Sequence, residues 1–79
     1  MPRDLIDEAK REAARQVKIT PDHMLIAGTH THSAPSCMGA LGTEAAPAYL
    51  PLLKRKLVEA MVAAEANLEP AQVGWAVAD

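Results

Sequence analysis

The chain has 79 residues, with 8 Lys and Arg against 10 Asp and Glu, a formal net charge of -2 and a hydrophobic fraction of 49%. This length admits one small domain with a single modest core, and one Trp, one Tyr and no Phe leave few bulky side chains to fill it. The basic residues are spread over two helical segments and do not form one face, which argues against nucleic acid as a partner.

The N-terminus runs straight into helix-like sequence. It lacks the apolar stretch of a signal peptide or a membrane span, so we expect either a cytoplasmic protein or a chain whose true beginning is missing. The first predicted element is a helix over residues 4–16, in which Leu5, Ala9 and Ala13 recur at i, i+4 with charged residues on the other side. Pro21 then favours a turn and the start of a new element.

Two segments are predicted as strands. Residues 24–28 form a short apolar run bounded by turn residues, as in a strand buried on both faces of a parallel sheet. Near the C-terminus, Val73, Trp75 and Val77 alternate with small or polar residues, which is typical of a strand over residues 73–78.

A loop and a long helix are predicted between these strands. Residues 33–47 are rich in Pro, Gly, Ala and Ser and form a loop of the length that usually serves a site. Residues 48–68 are the clearest helix, because apolar residues recur there at spacings of three and four, and Pro47 and Pro51 suit its first turn. This stripe consists of Leu50, Leu53, Leu57, Ala60 or Met61, Ala64 and Leu68.

The predicted order is helix, strand, loop, helix, strand, which we interpret as an α/β fold. The last four elements make a βαβ unit with parallel strands and a right-handed crossover. Two parallel strands are not stable by themselves, so the pattern predicts a fragment of a larger sheet-containing domain whose other strands lie outside this chain.

The residues that point most directly to chemistry follow the first predicted strand, in the segment GTHTHSAP of residues 28–35. If the backbone stays extended, His30 and His32 point to the same side, about 6.5 Å apart along the chain. They can share one metal ion, or one can bind it while the other holds a substrate oxygen. Imidazole suits zinc, and a catalytic zinc takes three protein ligands and keeps one position open. The competing interpretation is that polar residues merely close a strand.

Other polar residues are predicted to be surface or structural groups. On a strand Ser33 points away from His32, which argues against a nucleophile and base pair. We expect His23 to be a solvated turn residue and Glu44 to be a solvated carboxylate. Cys37 is the only cysteine, so it cannot form an internal disulfide.

Residues 25–35 resemble the histidine motif of the neutral/alkaline non-lysosomal ceramidases, usually written G-T-H-T-H-S-x-P. The predicted elements also follow the order expected of that family, so the resemblance covers nearly all of the chain, although only the eight-residue motif is specific. It implies that residues 1–79 are a partial N-terminal catalytic domain. The implied enzyme is a zinc-dependent amidase that cleaves the N-acyl bond of ceramide to give a fatty acid and sphingosine, in a secreted or extracytoplasmic location.

The resemblance also implies roles for the two histidines. His30 corresponds to a zinc ligand, and His32 corresponds to a catalytic pocket residue near the scissile amide or its oxyanion. The family's other ligands, a His, a Glu and a Tyr, and its nucleophilic serine lie far downstream and have no counterpart here. The resemblance thus implies zinc as cofactor, a ceramide-like lipid amide as substrate, and a fragment that is inactive without the remainder of the catalytic domain.

Two alternatives stay open. One is a non-catalytic α/β module in which residues 30–33 are a structural strand end. The other is a different zinc hydrolase with a His-x-His motif. A metallo-β-lactamase motif would continue to Asp-His where this chain has Ala34 and Pro35, and amidohydrolase barrels place the pair after their first strand and not after an upstream helix.

Overall fold

The computed structural model of the protein describes residues 1–37, Glu44 and residues 46–79. Two α-helices and one short 3-10 helix form the regular structure of these residues, and no strand occurs among them. In chain order the elements are α1 (Arg3–Ala14), the 3-10 turn (Pro21–His23) and α2 (Tyr49–Ala66).

Helix α1 confirms the N-terminal helix with shifted ends. It begins directly after Pro2, whose backbone is extended (φ -62°, ψ 139°), and it stops two residues short of the predicted end. Asp4 lies in its first turn and Arg11 in its last. Both charges oppose the partial charges of the helix ends, which favours the helix in this position.

Helix α2 confirms the long C-terminal helix. Pro51 is its third residue, where the missing N–H removes no intrahelical hydrogen bond. The helix ends at Ala66 and is followed by Asn67, whose side-chain Nδ2 donates a 2.7 Å hydrogen bond to the carbonyl oxygen of Ala63. Neither helix of the described residues is both long and apolar enough to cross a membrane.

The core lies where α1 packs on α2. Ala9 and Ala13 are fully buried, as the spacing in α1 predicts, and Val58 of α2 is 6% exposed. Because alanine side chains are short, the helix backbones can approach closely, but little apolar area is buried between them. Partly buried side chains extend this core: Met24, Leu57, Met61 and Val62.

The predicted stripe on α2 is only partly correct. Leu57 and Met61 belong to it and pack on the core, but Val58, the buried residue of the helix, does not. Ala64 and Leu68 of the stripe are exposed. Spacings of three and four are satisfied by two adjacent stripes on this Leu- and Ala-rich helix, and the position of α1 selects between them.

The predicted α/β fold and its βαβ unit are wrong for the described residues, which are helical. The segments 24–28 and 73–78 are neither paired nor assigned as strands, and Leu25 is 92% exposed while Trp75 is 87% exposed. Met24 does have extended backbone (φ -109°, ψ 131°). An apolar or alternating pattern reports a preference for extended backbone, but a strand also needs a neighbouring backbone that completes its hydrogen bonds.

The predicted loop lies partly outside the described residues, which omit residues 38–43 and Ala45. The glycines that supported the prediction are among the omitted residues. At its described ends, the backbone N–H of Ala46 donates a 2.7 Å hydrogen bond to the carbonyl oxygen of Ser36. This bond brings the two ends of the segment together ahead of α2.

Ion pairs at the surface connect the two helices. Lys54 of α2 places its Nζ 3.6 Å from a carboxylate oxygen of Glu8 and 3.8 Å from one of Glu12, both on α1. All three side chains are about a third or more exposed, so each pair contributes modestly to stability.

Candidate metal-binding site

The two histidines of the motif lie in an exposed stretch of chain ahead of the segment that leads to α2. Every residue from 27 to 35 is exposed. His30 has a left-handed backbone with φ 62°, a conformation that histidine adopts more readily than most side chains that carry a Cβ atom. The extended backbone assumed for the motif is therefore interrupted at His30.

The imidazole rings of His30 and His32 nevertheless lie side by side, with centroids 4.7 Å apart and planes inclined by 46°. Two imidazoles on one tetrahedral zinc, at ordinary Zn–N distances of 2.0–2.1 Å, would have their centroids about 5 Å apart. The observed separation is close to that value. The pair thus offers a donor type that suits zinc, with the two rings close together.

A hydrogen bond beside the rings holds this turn together. The hydroxyl oxygens of Thr29 and Thr31 are 3.3 Å apart, with either hydroxyl as the donor. Both threonines flank His30 within the motif, and their hydroxyls contact each other.

The site is incomplete as a zinc centre. Among the described residues no group of three or more His, Cys, Asp or Glu side chains could hold a metal ion. A catalytic zinc takes three protein ligands. The pair therefore supplies at most two of them, and any further ligand must come from elsewhere.

The other candidates lie where solvated residues are expected. His23 is three-quarters exposed; its Nδ1 lies 3.4 Å from the hydroxyl of Thr20, and its Nε2 lies 3.8 Å from the carboxylate of Asp22. Glu44 is exposed. Cys37 is a half-buried free thiol. None of these residues joins the histidine pair in a cluster that could hold metal.

The structure has an open groove between the two helices, which no pattern in the sequence predicts. It has a volume of about 520 Å³, and its floor consists of Val58, Val62, Ala63 and Ala66 of α2. Charged side chains of both helices surround this floor, among them Glu59. The histidines do not line the groove, so it does not form part of the candidate metal site.

One ionisable group near the groove has a shifted pKa. The pKa of Glu59 is lowered because its carboxylate accepts a 2.8 Å hydrogen bond from the Lys56 ammonium and lies close to the charges of Lys56 and Arg55. Arg55 and Glu59 also have the i, i+4 spacing of a helix surface ion pair, and their charged atoms are 3.8 Å apart.

Comparison with protein-family models, with curated proteins and with solved structures finds no match to this chain. The ceramidase resemblance therefore rests on the sequence motif of residues 28–35 alone.

Proposed function

We propose that this chain is part of the catalytic domain of a zinc-dependent amidase of the neutral/alkaline ceramidase type, acting on a lipid amide such as ceramide. The observation that carries the proposal is the pair of exposed imidazoles, His30 and His32, with ring centroids 4.7 Å apart inside the GTHTHSAP motif. Both imidazoles are exposed and close together, so one can bind a metal ion while the other binds a substrate oxygen.

Each histidine has a distinct role in this proposal. His30 holds the zinc ion. Bound zinc supplies Lewis-acid polarisation of the amide carbonyl or activation of water. The imidazole of His32 lies beside the reacting group and donates an N–H to the negative charge that develops on the amide oxygen.

The surroundings of the pair support a larger catalytic domain. Electrostatic catalysis needs a site from which water is excluded, whereas both histidines are exposed here. Several large apolar side chains are also more than 70% exposed: Leu25, Leu68, Val73, Trp75 and Val77. Such side chains are suited to packing against the remainder of the catalytic domain, which also supplies the missing ligands. A secreted or extracytoplasmic location belongs to the same proposal.

The test uses the enzyme that carries this chain, with zinc content and hydrolysis of a short-chain fluorescent ceramide as the measurements. We expect His30→Ala to lose zinc and activity together, because the ligand set becomes incomplete. His32→Ala should keep most of the zinc but lose roughly 100-fold or more in rate, the usual effect of removing an oxyanion donor.

His23→Ala is the matched control, because it removes an exposed histidine from a neighbouring turn. It should change neither the zinc content nor the rate. A large loss in this variant would mean that the site has been placed at the wrong end of residues 24–28. Equal zinc content and rate in the wild type and in His30→Ala would rule out the assignment of His30.

A further inference from the structure

The segment that follows α2, residues 71–78, has a free backbone and exposed apolar side chains. It contains no charged residue and no proline, and Val73, Trp75 and Val77 are 92%, 87% and 85% exposed. Within the described part of the chain no backbone hydrogen bond involves this segment. Apart from its sequence neighbours, no heavy atom lies within 4 Å of the place of a Cβ atom at Gly74. We propose that residues 71–78 pair with the same residues of a second copy of this chain as an antiparallel β-ribbon.

The pattern of side chains in this segment suits pairing with another strand. In an extended conformation Val73, Trp75 and Val77 lie on one face, and the small residues Gly74 and Ala76 lie on the other. Free backbone N–H and C=O groups in such a segment bond to the backbone of an added strand, while alternate side chains bury one apolar face. In the chain by itself the segment stays unpaired because no second backbone lies beside it. A second copy supplies that backbone.

An antiparallel register centred on Trp75 makes the segment complementary to itself. In this register Val73 lies opposite Val77 of the partner subunit, and the two Trp75 side chains lie opposite each other, so every large apolar side chain has an apolar neighbour across the ribbon. A two-fold axis relates the copies, as in most homodimers. A parallel, in-register pairing would instead set Glu69 beside Glu69 and Asp79 beside Asp79. Like charges in such positions are destabilising, which favours the antiparallel arrangement.

The size and charge of the segment set the strength that we expect. Two paired segments of eight residues bury on the order of 1,000 Å² in total, which belongs to the class of weak interfaces. The net charge of -2 adds little repulsion between copies. We therefore expect a dissociation constant in the micromolar to millimolar range. The proposed function assigns these exposed side chains to contacts inside a larger domain, whereas this inference concerns the 79-residue chain by itself and does not depend on that function.

The experiment measures the mass of the full chain by sedimentation equilibrium over a range of concentrations. The average mass should rise from that of one chain towards that of two. Trp75→Lys should raise the dissociation constant at least about tenfold, because it replaces the central apolar pair by two like charges. Leu68→Lys is the matched control, since it adds the same charge at a 72% exposed side chain outside the segment. At moderate salt, where surface charges are screened, it should leave the dissociation constant nearly unchanged.

Two proline variants test whether the backbone makes the contact. Ala76→Pro and Val77→Pro remove neighbouring N–H groups, which point to opposite edges of an extended segment. Pairing uses one edge, so at least one variant should raise the dissociation constant by about tenfold or more. Both positions lie beyond the end of α2, so the helical circular dichroism signal should not change.

Three results would overturn the inference: a chain that stays monomeric at every concentration, equal losses in Leu68→Lys and Trp75→Lys, or unchanged association in both proline variants. Each paired segment keeps one open edge. Larger assemblies at high concentration would therefore support the inference if Trp75→Lys disperses them and contradict it if they persist in that variant. None of these measurements involves zinc or ceramide hydrolysis, so failure here and failure of the proposed function can be told apart.

Discussion

At the scale of single residues, the backbone conformation of His30 differs from the extended backbone that the sequence predicted for the candidate site. His30 is left-handed at φ 62°, so the ring contact with His32 arises from a turn and not from the two-residue repeat of a strand. The same two histidines would be expected on one side in either geometry. The sequence singled out this pair by assuming an extended backbone that the structure does not show at His30, and the role of the pair stays a prediction.

A second feature at this scale is the charge cluster on α2. The hydrogen bond from Lys56 and the nearby charges lower the pKa of Glu59 below its usual 4.5. Because ionised Glu59 is favoured in the folded helix, its contribution to helix stability is present above the unfolded pKa and is lost as the pH falls through the lowered, folded pKa. In a pH titration followed by circular dichroism at 222 nm, the wild type should be slightly more helical than Glu59→Gln at pH 7.

This difference between the wild type and Glu59→Gln should disappear as the pH falls through the folded pKa of Glu59, below 4.5. Glu69→Gln is the control, because Glu69 is exposed and lies beyond the end of α2. A difference that persists unchanged at pH 2 would contradict an origin in the ionised carboxylate.

At the scale of elements, the described part of the chain depends on the contact between α1 and α2. Its buried residues are Ala9, Ala13 and Val58. Isolated helices of 12 and 18 residues are marginal in water. Each helix thus depends on the other for much of its stability, and Val58 is the largest of the three buried side chains at their contact.

Val58→Ala should therefore lower the free energy of unfolding by about 1–2 kcal/mol, because it removes two buried methyl groups and leaves a space that the neighbouring side chains fill only partly. Urea titration followed at 222 nm measures the effect. Val73→Ala makes the same substitution at a side chain that is 92% exposed, and it should change the free energy by less than about 0.5 kcal/mol. Equal effects at the two positions would show that the helix contact is not the core.

At the scale of the whole molecule, the chain is more open than its length requires. Its accessible surface is 6727 Å², whereas a compact monomer of 8.4 kDa would expose about 4,600 Å². Its radius of gyration is 15.4 Å, against about 11.6 Å for a compact domain of 79 residues. The extra surface includes the exposed apolar side chains at Leu25 and at Trp75.

We therefore expect the chain, purified alone, to be partly helical and to unfold with a midpoint below about 50 °C, at the lower end of the range of ordinary mesophilic domains. It should also bind a dye specific for exposed apolar surface. One equivalent of zinc should change the melting curve little, because two histidines contribute much less binding free energy than a closed four-ligand site.

Circular dichroism melting with and without zinc, together with a ceramide hydrolysis assay, provides the measurement. A cooperative melt above about 50 °C together with zinc-dependent hydrolysis would show that the 79 residues are a complete small enzyme. That result would contradict the proposal that the remainder of a catalytic domain is required.

Local sequence signals predicted the helices well. The spacing of Ala9 and Ala13 located the buried face of α1, and Pro51 and Asn67 lie close to the two ends of α2. Helical hydrogen bonds join residues four apart in one segment, so composition and spacing within that segment largely determine where a helix forms.

The two predicted strands and the buried stripe of α2 could not be determined in this way. A strand at residues 24–28 or 73–78 requires a second backbone to pair with. Whether Val58 or the predicted stripe of α2 is buried depends on where α1 packs. By itself the sequence determined the two helices, and it singled out the histidine pair, whose role stays a prediction. Only the tertiary structure decided which apolar residues are buried and that residues 73–78 remain unpaired. It also decided that the rings of His30 and His32 meet across a turn. A local sequence pattern does not determine these features, because they depend on how the folded chain brings its residues together.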